Sequence, residues 1–145
     1  MNISLRRPLP ANVGRLSQLF GEHPEWYAKY GQAGHCGLDY GAPLGTPVLA
    51  MHDGVCVTGT SAGGYGNHVR INASRDGKPF FQSLYSHLDS INVCQGQLVK
   101  AGDLIGTVGS TGNSTGPHLH MALAIYGMKN PAYSNYIDPI PFRDI

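Results

Sequence analysis

Glycine and proline punctuate this chain from end to end, and their spacing constrains the fold more than any other feature. Twenty Gly and ten Pro, about a fifth of the residues, are spread too evenly for a disordered tail or a collagen-like repeat. They divide the chain into short β-rich runs: VGRLSQLF, PVLAMHDGVCVTGTS, NHVRINAS, KPFFQSLYSHL, QLVKAGDLIGTVGS and PHLHMALAIYG. Only HPEWYAKYG, His23 to Gly31, reads as helical, with Pro24 at an N-terminal position and a glycine after it. It has room for two turns at most. The expected fold class is therefore mainly β, with antiparallel sheets forming a sandwich or partly open barrel, one short helix and loop-rich ends. At 145 residues, with no linker, repeat or charge block, the expectation is a single domain spanning residues 1–145.

A formal net charge of +1 gives no electrostatic case for nucleic acid or an anionic membrane surface as partner. No apolar run approaches the roughly 20 residues of a membrane span, so no membrane insertion is expected. The three cysteines, Cys36, Cys56 and Cys94, are odd in number and form no C-x-x-C pair, which argues against a disulfide framework. MNISLRRPLPANVG carries two arginines with no apolar segment after them and does not read as a secretory signal. The expectation is a soluble chain made without a leader, reaching any extracellular target by release or delivery.

The histidines carry the chemistry. In TGPHLHMAL, strand alternation puts His118, His120, Ala122 and Ala124 on one face, and Leu119, Met121, Leu123 and Ile125 on the other. In QAGHCGLDYGAP the glycines and Pro43 disfavour a helix. An extended reading puts His35, Gly37 and Asp39 on one side, and Cys36, Leu38 and Tyr40 on the other. In SLYSHL the same rule groups Tyr85, His87 and Asp89. Each pair alone is a weak signal, since a lone strand histidine is more often structural than a ligand. By pattern alone, a metal site and ordinary structural histidines both stand. Two neutral imidazoles and one carboxylate would give Zn²⁺ three protein ligands and leave a fourth position for water, and two further histidines would manage a proton and a developing oxyanion.

The joint motif set goes further. GHCGLDYGAPLGTPVLA, DGV, YGNHVRI, YSHL and GSTGNSTGPHLH, in that order from about Gly34 to Met121, closely resemble the lysostaphin/LytM-type zinc metallopeptidases. The resemblance implies antiparallel sheets around a narrow groove with one zinc at its floor, a core over about residues 34–125, and terminal extensions packed on it. It implies His35, Asp39 and His120 as zinc ligands, and His87 and His118 as non-ligand catalytic histidines, without saying which is the general base. It implies a peptidoglycan peptide as substrate, cleaved in a cross-bridge or a stem peptide. The chain departs from relatives that continue H-L-H-F-E, having Met121 and Ala122 instead. It shows no inhibitory pro-segment and no wall-binding domain, which would suit a phage- or plasmid-type lysin. Tyr27 and Tyr30 are candidates for the upstream tyrosine of some relatives.

The remaining candidates read as structural. His23 is expected at the surface, His52 in a turn and His68 in a structural role at the groove edge. Cys36 is expected in the core facing away from the ligands. Tyr85 reads equally as packing or as substrate contact, and Asn113 is expected at the cleft edge. Two other classes compete: a non-catalytic peptidoglycan-binding or partner-activating relative of the same fold, and a IIA-type phosphocarrier with a related H-x-G-x-D run. Such binding relatives usually lose ligands, whereas all five positions are present. The H-L-H and Y-S-H-L pairs disfavour the phosphocarrier.

Overall fold

The computed structural model describes residues 2–143. Among these residues nine strands form one antiparallel sheet: β1 (Arg15–Gln18), β2 (Leu38–Gly41), β3 (Pro47–Leu49), β4 (Gly54–Gly59), β5 (Asn67–Arg75), β6 (Lys78–Ile91), β7 (Leu98–Val99), β8 (Leu104–Val108) and β9 (His118–Ile125). The strand order is β1-β2-β9-β6-β5-β4-β7, and β8 branches off β6 to carry β3. β1, β7 and β3 each have one neighbour, so the sheet does not close into a barrel. The six β-rich runs of the sequence all become strands. Two of them, at 47–61 and 97–110, split at turns over residues 50–53 and 100–103 into β3 with β4 and β7 with β8.

The helical segment is α1 (Pro24–Tyr27), continued by a 3₁₀ turn over Ala28–Tyr30 that stops at Gly31 with φ 73°. None of its residues is buried, so packing contributes little to it. Tyr27 ties it down by donating its hydroxyl to Gln18 of β1 at 2.7 Å.

Strand alternation sorts the core into two clusters. Leu119, Met121, Leu123 and Ile125 of β9 join Leu38, Tyr40, Val69, Ile71 and Ile105 in the main cluster. Ala122, on the opposite face of β9, packs with Cys36, Leu84 and Tyr136 in a smaller one. The terminal extensions are part of this body. Leu5 and Leu9 are buried in the main cluster, and Leu5 bridges Arg143.

One bend positions the site. β6 pairs with β9 as far as Ser86 and with β8 from Leu88, and His87 sits at the change of partner with φ 61°. A left-handed histidine is uncommon and breaks the two-residue alternation. Tyr85 is consequently fully buried in the main cluster while His87 turns to the cleft, contrary to the sequence expectation that the two share a face.

Candidate metal centre

The site begins with two close approaches that only glycine allows. A Cβ on Gly37 would lie 2.1 Å from the Met121 carbonyl oxygen and 2.8 Å from the His120 ring. A Cβ on Gly34 would lie 2.5 Å from the Gly21 carbonyl oxygen. The intervening segment is therefore pressed against β9 on one side and residues 21–22 on the other. There Gly21 N–H donates to the His35 carbonyl at 2.7 Å and His35 N–H donates to the Glu22 carbonyl at 2.9 Å. Register does the rest, because Asp39 of β2 stands directly opposite His120 of β9.

Three donor atoms converge at that point. His35 Nε2 lies 3.1 Å from Asp39 Oδ1, His120 Nδ1 lies 2.9 Å from the same oxygen, and the two imidazole nitrogens are 3.0 Å apart. The proton inventory shows what this triangle lacks. His35 Nδ1 faces the Leu19 carbonyl at 3.1 Å, which can only accept, so His35 carries its proton there and turns a lone pair inward. Burial works to raise the Asp39 carboxyl. The two histidines packed against it, His120 first and then His35, outweigh that and hold the group well below the usual carboxylate range. Burial pushes the His120 imidazole down, partly opposed by its bond to Asp39. A carboxylate oxygen and an imidazole lone pair thus face each other at contact distance, which calls for a cation between them. His120 Nε2 is buried without a partner among the described residues, where that ring directs its polar bonding through Nδ1. A tetrahedral zinc with bonds of about 2.0 Å spaces its ligand atoms roughly 3.3 Å apart, and the observed separations fall within a few tenths of that. Two nitrogens and one carboxylate oxygen fit zinc and leave one coordination position open.

The triangle forms part of the wall of a cavity of about 300 Å³, which Tyr27, Tyr30, Tyr65 and Asn113 also line. His87 and His118 enter the same cavity with ring centroids 4.8 Å apart. Each is fixed the same way: His87 Nδ1 donates to the Thr111 carbonyl and His118 Nδ1 donates to the Gly116 carbonyl, both at 2.8 Å. Both therefore present Nε2 as an acceptor. His118 Nε2 lies 3.8 Å from Asp39 Oδ2. Burial pushes His87 down to about 4, against the opposing pull of the Thr111 carbonyl.

All five residues singled out in the sequence meet in this one cavity. Cys36 does not behave as expected. The chain around it is not a strand, and its side chain sits in the cleft wall beside Tyr65 and Ala122 rather than with Leu38 and Tyr40. It contributes no atom to the converging group. His68 donates to the Gly66 carbonyl at 2.9 Å and packs on Gly59, outside the cavity lining. His23 is partly exposed, stacked on Trp26. His52 lies in a turn yet is buried, bonded to Ser83 Oγ at 2.7 Å. Sequence reading missed Tyr65, whose ring lies nearly parallel to His120 at 6.1 Å and whose carbonyl accepts the His87 N–H at 2.8 Å. The only signal for it was its place in the Tyr65-Gly66-Asn67 run.

The model of peptidase family M23 matches residues 33–138, a span holding all five of these residues. The chain belongs to peptidase family M23. Among relatives of this M23 domain, the DD-carboxypeptidase/endopeptidase Mpg of Neisseria meningitidis serogroup B is 48% identical over 93 residues, covering 64% of this chain and 20% of Mpg. Lysostaphin of Staphylococcus simulans is 41% identical over 109 residues, covering 74% of this chain and 21% of lysostaphin. The chain thus spans about a fifth of the length of these relatives. The catalytic domain of the prophage-encoded M23 protein EnpA from Enterococcus faecalis superposes with a TM-score of 0.74 at 32% identity, covering 92% of this chain and 94% of that one. A zinc-containing peptidase from Vibrio cholerae gives a TM-score of 0.74 at 30% identity, covering 94% of this chain and 39% of the other. No helix among the described residues is long and apolar enough to cross a membrane.

Proposed function

We propose that this M23 domain is a zinc-dependent endopeptidase that hydrolyses peptide bonds in bacterial peptidoglycan, in a cross-bridge or a stem peptide. The observation that carries the reading is the triangle of His35 Nε2, Asp39 Oδ1 and His120 Nδ1 beside two acceptor imidazoles in one cleft. In this reading His35, Asp39 and His120 hold one zinc per chain, and His87 and His118 are the catalytic pair. The names of Mpg and lysostaphin, and the zinc in the Vibrio cholerae peptidase, support the same reaction class. The chain works as a single peptidase unit over residues 1–145, supported by the shared core of its extensions and the 34–125 segment.

Zinc, when bound, polarises a scissile carbonyl and lowers the pKa of water toward about 7. The protein's residues do the rest. His118 Nε2, 3.8 Å from Asp39 Oδ2, accepts the proton of the attacking water. His87, kept neutral by burial, accepts the water's other hydrogen through Nε2 and so orients its lone pair toward the carbonyl. His118 then returns its proton to the leaving amine. The Asn113 amide and the Tyr27 and Tyr30 hydroxyls offer hydrogen bonds to an extended peptide along the cleft.

The test is release of peptides from purified cell walls, with and without chelator, beside Asp39→Asn and His118→Ala. Release abolished by chelator and by both variants is expected. Undiminished release by either variant would overturn this mechanism, and no release from walls of several cross-link chemistries would favour the non-catalytic binding module.

A further inference from the structure

Resting on that reading, we propose that Thr111 is the positioning residue for His87. Its hydroxyl anchors the loop whose carbonyl fixes the histidine's tautomer. His87 sits at a left-handed bend, its ring 4.8 Å from that of His118 and hydrogen-bonded through Nδ1 to a backbone carbonyl. Two backbone carbonyls hold it: Tyr65 O takes the main-chain N–H and Thr111 O takes the Nδ1–H, each at 2.8 Å. A catalytic imidazole is only as well placed as the group on its far nitrogen.

The Thr111 carbonyl belongs to the loop between β8 and β9, and the Thr111 side chain stitches that loop to the two strands beside the bend. Thr111 Oγ1 donates to the Leu88 carbonyl at 2.7 Å and accepts the Asn67 N–H at 3.1 Å. Leu88 is the residue after His87 on β6, and Asn67 is the first residue of β5, opposite Leu88. Asn67 Nδ2 donates to the same Leu88 carbonyl at 3.0 Å. One hydroxyl therefore satisfies a donor and an acceptor at the point where β6 leaves β9. From that position, the carbonyl of the same residue reaches back to the ring. The backbone fits closely enough to make the reach reproducible, since a Cβ on Gly66 would lie 2.4 Å from the Thr111 carbonyl carbon. If this carbonyl moves away, His87 loses its reason to keep the proton on Nδ1. The Nε2–H tautomer, which cannot accept from water, then becomes populated.

The experiment uses the zinc-loaded protein with ¹⁵N-labelled histidine, reading ring tautomers from long-range ¹H–¹⁵N spectra beside zinc content, melting temperature and wall hydrolysis. In the wild type, His87 is expected with Nδ1 protonated and Nε2 bare. Thr111→Val keeps the shape and removes the hydroxyl. It is expected to mix the two tautomers and lower kcat roughly 10- to 100-fold, the range for loss of a supporting partner. KM and zinc content should change little. Thr111→Ser is expected to restore both the tautomer and the rate. A wild-type His87 protonated on Nε2 overturns the proposal before any variant is made, which also covers a Thr111→Val protein that does not fold. It is overturned equally by a folded Thr111→Val with an unchanged His87 spectrum, or by Thr111→Ser failing as Thr111→Val does. A tautomer change in Thr111→Val, with no wall hydrolysis by any form, keeps the positioning role and removes the endopeptidase reading.

Discussion

His118 and His120 stand two residues apart on one face of one strand, yet their rings are held in opposite senses. His118 gives its Nδ1–H to the Gly116 carbonyl and offers Nε2 to the cleft, whereas His120 turns Nδ1 itself to Asp39. The sequence shows the shared face. The proposed division of labour follows from which nitrogen each partner occupies, the Gly116 carbonyl for His118 and the Asp39 carboxylate for His120, and those partners are a tertiary fact. The two substitutions should therefore separate. His120→Ala is expected to drop bound zinc far below one per chain by metal analysis. His118→Ala should retain zinc while wall hydrolysis falls by roughly 10²- to 10⁴-fold, the usual contribution of a general base. Loss of zinc from His118→Ala, or its retention in His120→Ala, would reverse the assignment.

At the scale of elements, the legible part was the alternation of β9, whose odd residues fill the main core as the pattern required. The same rule failed twice. On β6 the left-handed His87 separates it from Tyr85, because a strand that changes partner must bend and a bend resets the alternation. Around Cys36 there is no strand to alternate, since the chain is pinned between residues 21–22 and β9. Neither event has a local signature in a single sequence: both depend on what lies across the sheet. Gly37 is where that packing can be tested. Gly37→Ala places a methyl against the Met121 carbonyl and the His120 ring, and is expected to cost about 1–3 kcal/mol in urea unfolding. Because the strain pushes β2 and β9 apart at the Asp39–His120 pair, zinc affinity should fall with it. A Gly37→Ala protein with wild-type zinc affinity would show that the close approach is not needed.

For the whole molecule, the main consequence is how much of it depends on neutral imidazole. His52 is buried in a chain of hydrogen bonds in which Met51 N–H meets the Tyr85 hydroxyl, that hydroxyl meets Ser83 Oγ, and Ser83 Oγ meets His52 Nε2. His52 Nδ1 closes the chain on the Asp53 carbonyl. Burial pushes His52 down, as it does His120 and, to about 4, His87. A lowered folded-state value means the unfolded chain binds protons first. Stability is then full above the ordinary value of 6.5 and is lost as pH falls from there toward about 4. Urea midpoints of the chelated protein should accordingly drop between pH 7 and 4.5, and a flat profile would contradict neutral burial. Zinc acts in the opposite direction. At a free concentration about 100 times its dissociation constant it adds about 2.7 kcal/mol, which for a chain of this size raises the melting temperature roughly 5–10 °C. Equal melting with and without chelator would mean the triangle holds no ion in the folded protein.

The sequence by itself determined the β architecture, the single short helix and the short list of histidines. Glycine, proline and two-residue periodicity act locally and are read without knowing what lies opposite. The tertiary structure alone decided which nitrogen of each imidazole faces the cleft, why Tyr85 and His87 part company, and why Gly37 and Thr111 matter. Each of those rests on a carbonyl, a hydroxyl or a ring from a distant segment, and such partners meet only when the sheet brings their strands side by side.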